Sequence, residues 1–280
     1  MTVFRFQRTL EQNLTHIVDR YQHVASHLDD NLFVRLTMDV VNTSGQTGKK
    51  TARGTFLSLF LGDSKTLLSI MIHIFPELGL VQSDCIQTSW IQSVLFWTNF
   101  AIDSPELLLN RTPPSVTFLK RKSDYVKQPI PREKLDDIWK KMIELEAVML
   151  TFNPYGGKMA EIPSTASPFP HRAGNLWKFQ YATNWNEGGI ETTNHFIDLT
   201  RELHKFMTPF VSKNPRQAFF NYKDLDIGIN HNGRFSFWEG RVYGVKYFKE
   251  NFNRLVKIKT EVDPANFFRH EQSIPTLPHN

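Results

Sequence analysis

Asn175–Asn184, NLWKFQYATN, is the stretch that decides the fold. Its side chains alternate with a period of two, so Trp177, Phe179 and Tyr181 share one face, with Leu176, Lys178 and Gln180 on the other. An extended strand with one buried face sorts residues this way. The aromatic face is expected to pack on helices and form core. Lys178 and Gln180 then point together toward the other face of the sheet, which on these residues alone reads as polar and solvated.

The same alternation runs through VFRFQRT at Val3–Thr9, and strands are expected at Leu32–Val41, Thr55–Leu61 and Val148–Phe152. The polar stretch Asn42–Lys50 supplies the turn of a hairpin between the second and third of these. Helical spacing starts at Leu10 and places Leu14, Ile17, Val18, Tyr21, Val24 and Leu28 on one side, with Thr9 and Gln12 as a capping box. Further helices are expected at Lys65–Phe75, capped by Asp63 or Ser64, and at Ser89–Phe100, Arg132–Leu145, Ile190–Phe210 and Tyr243–Val256. Ser104–Pro131, rich in proline and charge, reads as an extended surface connection. The order lacks the regular βαβ rhythm of a parallel sheet. The expected class is therefore α+β: an antiparallel sheet with helices on one face, followed by a helical and irregular C-terminal segment.

Composition narrows the function. The 280 residues are 40% hydrophobic with 23 Phe, 6 Trp and 7 Tyr, enough for a large core. No run reaches the roughly 18 apolar residues of a membrane span, and Arg5, Gln7 and Arg8 interrupt any leader-like N-terminus. As written, the chain would stay cytosolic. The lone Cys85 excludes an internal disulfide, and the ten histidines show no metal-ligand spacing. Asn-X-Ser/Thr sequons occur at Asn13, Asn42 and Asn110. Against a net charge of +5, the densest basic run, Lys120-Arg121-Lys122, reads as a solvated loop, so no nucleic-acid partner is expected.

Chemistry points to Tyr222. It lies between the strand-like run Ala218-Phe219-Phe220 and the acidic turn Asp224–Gly228, a placement that can present its phenol to a pocket. Tyr155-Gly156-Gly157 reads as a tight turn, His171 as a structural loop histidine, and Trp90, Phe96 and Trp97 as core.

NYKDLDIG, YFKENFNRLVKIKT, DPANFF and EQSIP resemble the closing segment of the plant berberine-bridge-enzyme-like flavoproteins. TLEQN, SWIQSVLFW, KSDYVKQPIP, NPYGGKMAEIP and PFPHRAGNLWKFQY extend the resemblance, in order, over nearly the whole chain. These are FAD-linked oxidases of the vanillyl-alcohol oxidase superfamily. The resemblance implies a substrate-binding part over residues 1–213 and a berberine-like C-terminal segment over 214–280. It also implies that MTVFRFQRTLEQN corresponds to the middle of the family sequence, so the FAD-binding domain that bonds the flavin is expected to be missing from this chain. Family members are extracellular or vacuolar plant glycoproteins.

The site residues follow from the resemblance. The open face of the sheet would roof the flavin and form the substrate pocket. Gln180 matches a catalytic-base position that is glutamine in some members, and Lys178 a position that stabilises a deprotonated tyrosine. Tyr222 matches the tyrosine proposed as base, and Asn221 beside it would lie near the flavin. A phenol has a pKa of about 10, and a nearby ammonium is expected to lower it. The implied activity is oxidation of a CH–OH group in an aromatic alcohol or sugar. The alternative is a truncated, inactive product. The tail Asn266-Phe267-Phe268 would expose apolar area normally covered by the missing domain.

Overall fold

The computed structural model describes residues 1–43, 48–112, 115–233 and 236–278; the tip of the expected Asn42–Lys50 turn lies outside them. In chain order the elements are β1 (Thr2–Thr9), α1 (Leu14–Val24), β2 (Leu32–Asn42), β3 (Lys50–Phe60), α2 (Ser64–Ile74), β4 (Ile86–Gln87), α3 (Trp90–Trp97), β5 (Phe118–Val126), α4 (Arg132–Leu145), β6 (Met149–Pro154), α5 (Gly157–Glu161), β7 (Trp177–Trp185), α6 (Ile190–Phe206), α7 (Ser236–Phe248) and α8 (Asn251–Val262). The strands form one antiparallel seven-stranded sheet in the order β4-β1-β3-β2-β6-β7-β5. The fold is α+β.

Alternation along the strands gives the sheet two chemically different faces. Leu32, Val34, Leu36 and Met38 of β2, with Trp177, Phe179 and Tyr181 of β7, are buried beneath helices. α1 and α4 supply the matching stripes, Ile17, Val18 and Tyr21 against Leu135, Ile138 and Met142. Tyr21, Phe56, Phe75 and Phe152 meet edge to face or tilted, with centroids 5.7–6.4 Å apart. Each such ring contributes about 1.5–3 kcal/mol by leaving water. The Tyr21 hydroxyl donates to Val34 O at 2.9 Å, so its burial strands no polar group. Local caps set the helix starts. The Thr9 amide donates to Gln12 Oε1 at 3.0 Å, and Asp63 accepts from the amides of Lys65 and Thr66, both at 2.9 Å.

Four expectations fail here. The Ser104–Pro131 connection contains strand β5, which forms the sheet edge against β7. Lys120-Arg121-Lys122 lies in that strand, and Lys122 is buried. Its ammonium donates to Asp224 at 2.6 Å and Asp226 at 3.0 Å, so ion pairing, rather than water, satisfies the charge. The expected tail helix is instead α7 and α8, broken where Lys249 adopts a left-handed φ of 48°. Phe252 folds back onto Gly244, where a Cβ would sit 2.2 Å from its ring. Finally, Trp90 is 60% exposed, while Phe96 is buried as expected.

The C-terminal segment wraps the β5 edge, as an open strand edge requires. The Ser212 amide donates to Tyr125 O, and the Phe219 amide to Ser123 Oγ, each at 2.8 Å. Arg216 clamps buried Asp124, which also accepts from the Tyr181 hydroxyl at 2.9 Å. A second small core, with Tyr243, Tyr247, Phe248 and Phe252, closes behind it.

Candidate functional site on the open sheet face

The face away from the main helices carries a polar row that register makes continuous. Gln7 pairs with Thr55, Thr55 with Thr37, Thr37 with Thr151, Thr151 with Gln180, and Gln180 with Ser123. The Thr37 and Thr151 hydroxyls meet at 3.2 Å, and Gln7 donates to Thr55 at 3.1 Å. Gln180, one of the expected site residues, thus sits in the middle of a hydrogen-bonding floor. It is half-buried.

Lys178 projects from the same face, one pleat along. The structure does not leave it in water: it is 6% exposed, with Nζ 3.6 Å from the Phe219 ring centre and 4.3 Å from that of Tyr222. Tyr222 is therefore brought onto Lys178 by the wrapping segment. The run Ala218-Phe219-Phe220 is not a strand. The amide of Ala218 donates to Lys246 O at 3.3 Å and that of Phe219 to a serine side chain, so neither makes a strand ladder, and Phe220–Tyr222 turn as a short 3-10 helix. Gln272 ties the following loop down, donating to the carbonyls of Asp224 and Gly228, both at 2.9 Å, while accepting from the Tyr247 hydroxyl at 3.0 Å. Asn221 is exposed.

The electrostatics differ from the expectation. Burial pushes the Tyr222 phenol above its ordinary pKa, and the charges that oppose this belong to Arg35 and Arg121. Lys178 meets the face of the ring. Burial, aided by the charge of Arg35, pulls the ammonium down to about 7.

Arg35 is the residue that sequence reasoning missed. It sits on β2 between core residues Val34 and Leu36, on the open face with Phe33 and Thr37. Its guanidinium lies over Trp97 at 5.0 Å and Phe33 at 5.7 Å, so α3 covers this corner of the open face. Among the described residues its buried Nε has no hydrogen-bond partner. Alternation in LFVRLTMD places it there, but nothing in the spacing shows that it lacks an anion.

His171 is structural, as expected. It stacks on Tyr125 with centroids 4.0 Å apart, and Nε2 lies 3.0 Å from Tyr247 O. Burial holds its pKa down at about 4, so the ring is neutral. Gly156 packs against Ser26, whose carbonyl oxygen would lie 2.1 Å from a Cβ, so this turn serves close packing. Phe267 and Phe268 are 74% and 76% exposed.

An antiparallel sheet with one helix-covered face and one polar face, gripped by a wrapping C-terminal segment, defines a class that known proteins share. The family description "Berberine and berberine like" matches residues 218–275. Berberine bridge enzyme-like 8 of Arabidopsis thaliana is 61% identical over 99% of this chain, and berberine bridge enzyme-like 1 of the same plant 48% over 99%. Among solved structures, BBE-like 28 from Arabidopsis thaliana superposes with a TM-score of 0.89 at 38% identity, over 99% of this chain and 56% of that one. Phl p 4, a grass pollen allergen described as having glucose dehydrogenase activity, gives 0.89 at 36% identity, over 99% and 55%. Berberine bridge enzyme from Eschscholzia californica gives 0.90 at 30% identity, over 100% and 56%. The chain belongs to the berberine-bridge-enzyme-like family. It spans about half the length of the curated relatives, 53% and 51% of the two Arabidopsis proteins.

Proposed function

We propose that the open face is the substrate side of an FAD-linked oxidoreductase pocket that oxidises a CH–OH group of an aromatic alcohol or a carbohydrate. Residues 1–213 form the substrate-binding part and 214–280 the C-terminal segment that carries Tyr222. The observation that carries this reading is the convergence of Tyr222, Lys178 and Gln180 on one partly enclosed polar face, in a chain whose relatives include a described glucose dehydrogenase.

The residues present suit one side of a planar, hydrogen-bonding ring. The floor is a level row of Thr, Gln and Ser side chains, and Arg35 has an orphaned buried N–H beside it. Asn221 and Tyr222 would border the flavin. When bound, the flavin supplies the two-electron acceptor that takes the hydride.

The chain's own part is proton handling and orientation. Gln180 holds no titratable proton, so it orients a substrate hydroxyl by hydrogen bonding and leaves proton removal to another group. In its phenolate form Tyr222 accepts that proton. Burial opposes the phenolate, and the cations of Arg35 and Arg121 favour it. Lys178, at about 7, is poised to gain or lose charge near neutral pH.

The test is the intact mass of the native protein from source tissue, with in-gel flavin fluorescence. A fluorescent species near twice 32.6 kDa supports a bonded flavin alongside this chain. A dark species near 32.6 kDa supports the alternative, a product without catalytic activity.

A further inference from the structure

Three Asn-X-Ser/Thr triplets, at Asn13, Asn42 and Asn110, take no part in the open face. All three asparagines are exposed, so exposure does not choose among them. Their backbones do. Asn13 starts α1 with a left-handed φ of 64°, its carbonyl accepts from the Ile17 amide at 3.3 Å, and the next residue, Leu14, is wholly buried. The Thr15 hydroxyl is already committed, donating to Asp136 at 2.8 Å. Asn42 is the last residue of β2, in register with Lys50, and the Thr43 amide donates to Lys49 O at 2.8 Å. One triplet is fixed in a helix start and the other enters from a strand pair.

Asn110 is different. It follows the short 3-10 turn Pro105–Leu109 and is extended, with φ −70° and ψ 120°. Its Oδ1 accepts from the Thr112 amide at 2.9 Å, an Asx turn that draws the carboxamide and the threonine of the triplet together. Among the described residues the Asn110 Nδ2 and the Thr112 hydroxyl have no partner, and Arg111 and Thr112 are exposed as well. Leu109 and Val116, 82% and 85% exposed, are the most exposed large hydrophobic residues described, so the chain is open on both sides of the triplet. We propose that Asn110 is a modification site, carrying an N-linked glycan that shields Leu109 and Val116. In the transfer, Asn110 Nδ2 bonds to the anomeric carbon of a lipid-diphosphate-linked oligosaccharide. The bond from that carbon to the diphosphate oxygen breaks, the lipid diphosphate leaves, and the amide gives up one proton. A transferase must draw the triplet into its own cleft, which an exposed extended loop allows and a helix start or strand pair resists. A hydrophilic glycan here also offsets an apolar exposure that the fold leaves uncovered. The site is independent of any flavin.

The test is peptide mapping of the native protein from source tissue after enzymatic glycan release in heavy-oxygen water, which turns each glycosylated asparagine into labelled aspartate. Label at Asn110 is expected. Expressed in source cells, Asn110→Gln and Thr112→Ala should each lose the mass of one glycan while keeping the wild-type circular dichroism, the second with the asparagine itself still present. Releasing the glycan from the folded protein should raise its binding of a hydrophobic dye, and the paired substitutions Leu109→Ser and Val116→Ser should abolish that rise. An unlabelled Asn110 overturns the site, and so does label confined to Asn13 or Asn42. Dye binding that is unchanged by release overturns the shield.

Discussion

Two groups of cations lie within a few strands of one another and are treated in opposite ways. At the β5 edge, Lys120 and Lys122 share Asp224 and Asp226, Arg201 adds two more bonds to Asp226, and Arg216 grips Asp124. The cluster leaves Asp226 with a pKa pulled far below the carboxylate range by Arg201 and the two lysines, against the burial that opposes it. On the open face, Arg35 and Lys178 have rings and each other. The first arrangement fastens a segment to a strand. The second leaves two cations against aromatic rings, with no ion pair among the described residues. Position relative to the wrapping segment, rather than residue type, decides which role a cation takes.

Breaking the fastened side should cost most. Asp124→Ala strands the half-buried Arg216 and the Tyr181 hydroxyl, and a loss of about 3–5 kcal/mol is expected in urea unfolding of the chain. Should the loss stay under about 1 kcal/mol, the edge cluster is not what holds the segment. Asp224→Asn keeps the shape but removes one of the two carboxylates that serve Lys122. About 1.5–3 kcal/mol is expected by the same measurement.

The open side should respond with the reverse sign. The folded pKa of Lys178, about 7, lies below the unfolded value of roughly 10.4. Between those limits the unfolded chain binds more protons, so raising the pH favours the folded state. Compared with Lys178→Met, the wild type should gain about 3 kcal/mol from about pH 7 to pH 10, or roughly 6–12 °C in melting temperature in a chain of this size. A constant difference across that range would mean that Lys178 is not desolvated. Smallest of all, Arg35→Gln should change stability by less than about 0.5 kcal/mol, or raise it.

The hidden and visible parts of this molecule divide on the same line. Alternation in NLWKFQYATN and in LFVRLTMDVV foretold β7 and β2, because apolar side chains on one face leave a period that any reader can follow. β5 escaped because its inward positions Lys120, Lys122 and Asp124 are charged, and their partners lie some hundred residues on, with 104 residues separating Lys120 from Asp224. Burial by distant ion pairing leaves no local signature. The same limit hid Arg35, whose significance is an absent partner. Tyr222 stood out by its place beside a turn and Lys178 with Gln180 by alternation, their roles came through resemblance, and the structure brings Lys178 and Tyr222 into contact while placing Gln180 in the neighbouring row. The break at Lys249 was invisible because it depends on Phe252 packing against Gly244.

The measurement that bears most directly on the open face is the titration of the Lys178 side chain by carbon-13 NMR, in the wild type and in Arg35→Gln. An uncompensated pair requires a wild-type midpoint close to 7 and an upward shift when Arg35 is replaced. A wild-type midpoint near the ordinary lysine value of about 10.4, unmoved by the substitution, would show that the charge is already solvated or paired.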